Sequence, residues 1–307
     1  MSKGDKGGGV THKNILHMLT PLKNISPFDV NMALDAGYDA VVPYTSVTQA
    51  EVAGLVQDAI FSRPPDRSAR TGIFIAGKDA LQALDMLEAA KQAQVKPFEA
   101  SLFADPAGSF TTAAAMMACM EKVLRVKHGR TLQDLRLAVF GATGVVGFST
   151  AVIAALEGAK VTLVGHDGLA RVSVGAAQIA ARFGVEVETA DGSTEERKSS
   201  VVEAAELIIC AGRAGVCILT AAQIAAARDL LVVADANAVP PAGVEGLEPF
   251  AFGMPLGGGA ALGVGAYALG DTKYKTESGL FQRMIAASKV VRYDFRDAFA
   301  LARELNV

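Results

Sequence analysis

Short apolar runs recur along the chain, and the segments between most of them carry apolar residues at helical spacing. In the first hundred residues these runs predict strands at 14–19, 39–43, 72–76 and 99–103. Helices are predicted to begin at Ser26-Pro27, at a capping box over 48–51 and at Asp79. Strands that alternate with helices indicate a largely parallel sheet that is covered by helices.

A second series of strands and helices follows an Ala- and Met-rich helix predicted at 111–126 and a charged segment at 125–134. Its predicted strands are 135–140, 160–164, 186–189, 207–210 and 231–234, and its predicted helices are 145–156, 169–183, 193–205 and 220–227. This order is typical of a Rossmann-like, doubly wound parallel sheet. One or two amphipathic helices are predicted within 280–305.

We therefore expect an α/β protein of two α/β domains with a cleft between them. The first domain is predicted to comprise residues 1–124, joined by C-terminal helices at 286–307, and the second to comprise residues 125–285. A chain of 307 residues, 51% of them apolar, is long enough for two domains with a large core.

Charge and cysteine content narrow the class of protein. The net charge of −3 gives no reason to expect nucleic acid as a partner. Three cysteines without a C-x-x-C pair indicate a reducing compartment, and the Gly-rich N-terminus lacks the apolar core of a signal peptide, so we expect a cytoplasmic protein. Residues 251–270 are uncharged but rich in glycine and contain Pro255, which favours a buried or ligand-facing loop over a membrane segment.

The strongest local motif is a glycine-rich turn between a predicted strand and a predicted helix. Gly141 would form the tight turn, Gly144 would let a pyrophosphate approach the backbone, and Gly147 would let helix and strand pack closely. Free N–H groups at the start of the helix would then face the phosphates. The motif predicts dinucleotide-binding positions at Gly141, Thr143, Gly144, Val145, Val146 and Gly147, the alternative being a structural turn that binds nothing.

Three further strand ends are expected to contribute to the same site. His166 and Asp167 follow the next predicted strand, where an acidic residue usually binds the adenosine ribose of NAD; Arg171, one helical turn later, would also allow NADP. Arg171 could equally be an exposed helix charge. Two later strand ends add candidate cofactor-binding residues: Ala211, Gly212, Asp235 and Asn237. Asp235 has a turn-forming role as its alternative.

No metal site is predicted. The four histidines are scattered without the spacing of metal ligands, and no G-x-S-x-G motif is present. Hydride transfer needs two rings held close together in a dry cleft and requires neither a metal nor a nucleophile.

Several segments together resemble the methylene-tetrahydromethanopterin dehydrogenases of methylotrophic bacteria. The segments are 28–30, 44–48, 58–63 and, most specifically, 105–115 in the first domain, and 141–147, 211–212, 234–241 and 261–265 in the second. The similarity covers most of the chain from about residue 20 onward. The fold is also similar to that of the methylene-tetrahydrofolate dehydrogenases.

The resemblance implies hydride transfer from methylene-tetrahydromethanopterin to NAD or NADP, which leaves a methenyl cation, in one-carbon (formaldehyde) oxidation. It also implies a homo-oligomer. The active-site lysine of that family lies in a Lys-x-Lys that follows an Ala-Leu-Gly-x-Gly loop. In this chain a longer stretch, 266–272, separates the loop from the Lys-x-Lys. The resemblance therefore implies Lys273 as the first choice for the active-site lysine and Lys275 as the second. Asp29 and Arg63 would lie near the pterin, and Asp105, Ser109, Thr111 and Thr112 would line the cleft.

Alternatives remain at each of these points. The two lysines could be solvated loop charges, and Thr111 and Thr112 could cap a helix. A methylene-tetrahydrofolate dehydrogenase is the second choice of function, although the Tyr-x-x-x-Lys of that family is not evident in the first domain. A non-catalytic NAD(P)-sensing protein is the third choice of function. The NADP-restricted branch of the resembled family carries basic residues where His166 and Asp167 stand, so the chain resembles the form that accepts both dinucleotides.

Overall fold

The computed structural model describes residues 12–256 and 258–306, which form two mainly parallel sheets. The first half of the chain contains strands β1 (Ile15–Leu19), β2 (Ala40–Tyr44), β3 (Thr71–Ile75) and β4 (Ser101–Ala104), and helices α1 (Pro27–Asp35), α2 (Val52–Phe61), α3 (Ala80–Gln92) and α4 (Ser109–Val123). Single helical turns lie at Gln49–Glu51, Pro65–Arg70, Pro106–Gly108 and Leu124–His128. These elements confirm the predicted alternation of strands and helices.

The second sheet is doubly wound. Its strands are β5 (Arg136–Phe140), β6 (Lys160–Gly165), β7 (Glu188–Asp191), β8 (Leu207–Cys210), β9 (Val232–Asp235), β10 (Phe252–Pro255) and β11 (Leu262–Val264), and its helices are α5 (Val145–Leu156), α6 (Ala170–Phe183), α7 (Glu195–Ala204) and α8 (Ala221–Ala226). The order is β10-β11-β9-β8-β5-β6-β7, with only β10 antiparallel. The strand order therefore reverses between β5 and β8, where such sheets bind their ligands.

The end of the chain returns to the first sheet. Helix α9 (Ala266–Ala286) is followed by β12 (Arg292–Tyr293) and α10 (Phe295–Leu305), and the first sheet has the order β12-β4-β3-β1-β2. Phe281 of α9 packs its ring against Phe74 of β3 and Phe103 of β4. The predicted domain boundary at 285 thus falls inside a helix that packs on the first sheet, and we propose that the boundary lies before Ala266.

The uncharged stretch 251–270 is more regular than the predicted loop. It contains β10, β11 and the start of α9. Its glycines allow close packing, since a Cβ at Gly265 would lie 2.3 Å from the carbonyl oxygen of Glu248. None of the helices in the described part of the chain has the length and apolar character needed to cross a bilayer.

Helix α4 joins the two sheets. Its side chains are buried on almost every face, as expected for an apolar helix in a protein interior, and it packs against α5, α9 and α10. One hydrophobic core therefore runs from the first sheet through α4 to one face of the second sheet. The packing holds the carboxyl edges of the two sheets next to each other.

Candidate active site

Asp105 organises the loop at the carboxyl end of β4. The chain turns there through Ala107 and Gly108, both in the left-handed region with φ of 55° and 62°. The Asp105 carboxylate accepts hydrogen bonds from the backbone N–H of Phe110 at 2.8 Å and from the Thr111 hydroxyl at 2.6 Å. Asp105 thus satisfies N–H groups that would otherwise be unpaired at the start of α4.

Four ionisable side chains meet beside this loop: Asp29, Asp105, Lys273 and Glu277, which we call the acid–lysine cluster. The three carboxyl side chains are buried. The Lys273 ammonium donates to Glu277 Oε2 at 2.6 Å and lies 3.7 Å from the ring centroid of Phe28. Lys273 and Glu277 are four residues apart on α9 and therefore project from one face of that helix.

The cluster buries three carboxyl groups with one ammonium, and the pKa values of the carboxyl groups are raised. Burial, with a smaller effect from Asp105, raises the pKa of Asp29 to about 7, against the opposing effect of Lys273. Burial and then Asp105 raise the pKa of Glu277 to about 8. Burial also raises the pKa of Asp105, against the effects of Lys273 and the Thr111 hydrogen bonds. Near neutral pH the cluster is therefore partly protonated.

Two buried oxygens of the cluster, Asp29 Oδ2 and Glu277 Oε1, lack a hydrogen-bond partner within the described residues. A buried polar atom without a partner is costly unless a proton, a water or a ligand satisfies it. Asp29 also lines a cavity of about 420 Å³, the substrate cavity. Its lining residues are Thr20, Leu22, Lys23, Asn24, Ile25, Ser26, Asp29, Ala76, Gly77, Lys78 and Ala107.

The glycine-rich turn of the second domain has the geometry that its sequence predicts. Gly141 has a φ of 81°, and a Cβ there would lie 2.3 Å from the carbonyl oxygen of Ala211. A Cβ at Gly147 would lie 2.3 Å from the Gly141 carbonyl oxygen. Gly144 precedes α5, and among the described residues no side chain caps that helix. The first N–H groups of α5, beginning at Val145, therefore suit a phosphate group.

A second cavity, of about 490 Å³, lies between this turn and the first domain; we call it the elbow cavity. It is lined by Lys78, Asp79, Ala80, Leu81, Ala142, Thr143, Gly144, Val145, Phe148, Ala170, Arg171, Val174, Gly175 and Gln178. The Arg171 guanidinium donates to the Thr143 hydroxyl at 3.2 Å and lies 3.5 Å from an Asp167 carboxylate oxygen. Lys78 lines both cavities, so the two cavities are neighbours in one cleft.

Asp235 and Asn237 shape the loops at the ends of β8 and β9. The Asp235 carboxylate accepts the backbone N–H of Asn237 at 2.9 Å and that of Gly243 at 2.7 Å. The Asn237 side chain accepts the N–H of Val239 at 3.0 Å and donates to the Pro241 carbonyl at 2.8 Å. Asp235 therefore orders this turn, and a contact of Asp235 or Asn237 with the cofactor stays a prediction.

The structure brings together only some of the residues predicted for the pterin end. The residues that meet at the carboxyl edge of the first sheet are Asp29, Asp105, Thr111 and Lys273. Thr112 donates a hydrogen bond to the Gly108 carbonyl at 2.7 Å, and Ser109 is the first residue of α4. Among the described residues, no group of three His, Cys, Asp or Glu side chains could hold a metal ion, and the absence of a metal stays a prediction.

Two predicted residues lie elsewhere. Arg63 donates to the Arg70 carbonyl at 3.1 Å and to the Thr71 hydroxyl at 3.3 Å, at the amino end of β3, so it belongs to the opposite edge of the sheet. Lys275 is exposed and pairs with Asp271 at 2.7 Å. Residues two apart on a helix face different directions, so only one lysine of the Lys-x-Lys can enter the cluster.

Sequence reasoning missed Glu277, Phe28 and Lys78. The signal for Glu277 is its spacing of four residues from Lys273, which places the two side chains on one face only if the segment is helical, as it is in α9. Phe28 stands beside Asp29 in the 28–30 segment that carries the resemblance, but its contact with Lys273 has no signal in the sequence. The position of Lys78 has none either, because both depend on contacts between distant segments.

Comparison with known proteins shows what the chain is similar to. A family model described as methylene-tetrahydromethanopterin dehydrogenase, N-terminal, matches residues 27–107. The bifunctional protein MdtA of Methylorubrum extorquens is 31% identical over 280 residues, 91% of this chain and 94% of that protein. The structure of shikimate 5-dehydrogenase from Listeria monocytogenes, in complex with shikimate and NAD, matches with a TM-score of 0.51 and 11% identity over 99% of both chains, which shows a shared fold.

A closer relative determines the family. The NAD(P)-dependent methylenetetrahydromethanopterin dehydrogenase of Methylorubrum extorquens is 50% identical over 293 residues, which cover 95% of this chain and 99% of that protein. A match of this identity over nearly the whole of both chains shows that the chain belongs to the methylene-tetrahydromethanopterin dehydrogenase family.

Proposed function

We propose that the chain transfers a hydride from methylene-tetrahydromethanopterin to NAD or NADP and forms methenyl-tetrahydromethanopterin in one-carbon (formaldehyde) oxidation. The observation that carries this proposal is the pairing, across one cleft, of an uncapped glycine-rich helix start with a buried acid–lysine cluster. The proposal is supported by the relative with 50% identity, which is named an NAD(P)-dependent methylenetetrahydromethanopterin dehydrogenase.

The residues of the second domain fit a dinucleotide. Left-handed Gly141 and the uncapped start of α5 leave a backbone cradle for the pyrophosphate. Asp167 would accept ribose hydroxyls, and Arg171, 3.5 Å from Asp167, would offer a cation to a 2′-phosphate. The bound dinucleotide supplies the hydride acceptor. We propose that both NAD and NADP are accepted.

The acid–lysine cluster suits the charge that the substrate develops. The methylene carbon is neutral before it loses a hydride and belongs to a cation afterwards, with the charge shared between its two neighbouring nitrogens. Ionised Asp29 at the wall of the substrate cavity would stabilise this cation. The reaction releases no proton, so the cluster acts by its field and by orientation and has no need to act as an acid or base.

Lys273 keeps the acids in place. Its ammonium offsets part of the repulsion among the three carboxyl groups and is held by Glu277 and by the face of Phe28. Without Lys273, the pKa of each carboxyl would rise further and the cluster would lose negative charge at neutral pH. We propose that Lys273 and Asp29 are the catalytic residues.

The assembly and the compartment are also part of the proposal. We propose a homo-oligomer that acts in the cytoplasm. The three cysteines form no disulfide, which suits a reducing compartment. Size-exclusion chromatography with light scattering tests the first statement, and localisation of a tagged chain tests the second.

The decisive experiment offers the purified protein methylene-tetrahydromethanopterin and methylene-tetrahydrofolate separately, each with NAD and with NADP. Growth of the near-ultraviolet absorbance of reduced nicotinamide ranks the four pairs. We expect the methanopterin pairs to be the fastest. Faster turnover of the folate would favour a methylene-tetrahydrofolate dehydrogenase, and dinucleotide binding without any turnover would favour a sensing protein.

A further inference from the structure

We propose that Lys78 of the first domain binds a phosphate group of the dinucleotide across the cleft, opposite Arg171. This inference rests on the proposed function, because it assumes that a dinucleotide occupies the elbow cavity. It adds a cofactor contact from the domain that the sequence assigned to the pterin alone.

The position of Lys78 is the first observation. It follows Gly77 in the loop between β3 and α3, at the carboxyl edge of the first sheet, and lines the elbow cavity together with Thr143 and Gly144. Gly77 has a φ of 147°, a backbone conformation that residues other than glycine rarely adopt. The loop turns at this glycine, and the turn presents Lys78 at the cleft.

The charges around Lys78 are the second observation. In residues 12–256 and 258–306, Lys78 makes neither a hydrogen bond nor an ion pair, whereas Arg171 is paired with Asp167 and Lys273 with Glu277. Asp79 is the one acidic residue among those that line the elbow cavity, and its carboxylate caps α3 by accepting the Gln82 N–H at 2.8 Å. The lining thus carries two cations and one acid, and of the two cations Lys78 is the one without an ion pair among the described residues, which suits an anionic ligand.

The elbow cavity also contains backbone that suits phosphate. Its wall includes Gly144 and Val145, where α5 begins without a capping side chain. A phosphate at this wall would lie between the helix start on one domain and an unpaired ammonium on the other. Such a contact would hold the domains together over the substrate cavity, which Lys78 also lines.

Two phosphate groups could be the ligand, and they predict different results. The pyrophosphate is common to NAD and NADP, whereas the 2′-phosphate belongs to NADP alone. We would titrate the wild type, Lys78→Met and Lys78→Arg with each dinucleotide in the absence of substrate. Loss of a charge-assisted contact should raise Kd about tenfold. Equal increases for both dinucleotides identify the pyrophosphate, and an increase for NADP alone identifies the 2′-phosphate.

Lys23 provides the matched control. It is exposed and lines the substrate cavity but not the elbow cavity, so Lys23→Met should leave both dinucleotide affinities unchanged. Lys78→Arg should keep most of the affinity, and Lys78→Met should weaken the dependence of Kd on salt. Unchanged Kd values in Lys78→Met, or an effect confined to the KM of the pterin, would overturn the inference. Because Kd is measured without the pterin, a wild type that binds dinucleotide without turnover would contradict the proposed function and leave this test intact.

Discussion

At the scale of single residues, the acid–lysine cluster is the most unusual part of the molecule. Three buried carboxyl groups share one ammonium, and two of their oxygens lack a partner among the described residues. Buried charges of this kind are rare without a functional reason, because burial disfavours the ionised form. The predictions at this scale concern Lys273 and Glu277.

Lys273→Met should lower kcat at least about 100-fold, because without the ammonium the pKa values of the neighbouring carboxyl groups rise and Asp29 loses the negative charge that stabilises the developing cation. The dinucleotide Kd should stay close to that of the wild type, since Lys273 contacts first-domain residues and its own helix. Lys275→Met is the matched control and should retain full activity, because that exposed lysine pairs, within the described part of the chain, with Asp271 alone. Equal loss of activity in the two variants would contradict the assignment.

Glu277→Gln should flatten the dependence of stability on pH. The pKa of Glu277 rises from its ordinary value of 4.5 to about 8 in the folded protein, so folding favours its protonated form. Its contribution to stability is complete below 4.5 and is lost as the pH rises through about 8. Urea unfolding across this pH range should show that the free energy of unfolding declines less in the variant than in the wild type. Glu304→Gln, at an exposed ion pair, is the control and should leave the decline unchanged.

At the scale of elements, the strand–turn–helix at Gly141 depends on backbone geometry. A side chain there must adopt a left-handed φ and also displace the Ala211 carbonyl. Gly129 has a φ of 61° but open space around the position of a Cβ. A substitution there therefore carries the cost of the left-handed backbone without the cost of a steric clash.

Gly129→Ala should destabilise the protein by ~1 kcal/mol, the cost of the left-handed conformation alone. Gly141→Ala should cost roughly 3 kcal/mol or more, because backbone must shift as well, and it should also weaken dinucleotide binding. Chemical denaturation and dinucleotide titration measure both effects. Equal destabilisation by the two substitutions would show that the close approach to Ala211 has no energetic weight.

At the scale of the whole molecule, one core connects the two sheets. Helix α4 packs on α5 of the second domain and on α9 and α10, which return the chain to the first sheet. Because these elements share buried side chains, neither sheet can lose its packing without exposing part of the other's core.

The protein should therefore unfold in one cooperative transition, and dinucleotide should shift that whole transition. At a free concentration about 100 times Kd, the ligand should add ~2.7 kcal/mol to the free energy of unfolding. Calorimetry with and without NADP tests both statements. Two separate transitions, with only one of them moved by NADP, would show that the domains fold independently.

The sequence by itself determined the features that depend on neighbours along the chain. Apolar periodicity predicted β1 to β9 and α1 to α8, but not β10, β11, β12 or the start of α9. Glycine spacing predicted the turn at Gly141, because such a turn depends on local backbone geometry. The segments around Asp105 carried the family resemblance, which the 50% identical relative confirms.

Only the tertiary structure decided which distant residues meet. Asp29, Asp105 and Lys273 lie on separate elements, and their contact results from the packing of α1, β4 and α9. The same packing places Arg63 at the wrong edge of the sheet for the site, leaves Lys275 in solvent and puts Lys78 between two cavities. Local spacing carries no information on such contacts, because they arise only when separate apolar faces share one core.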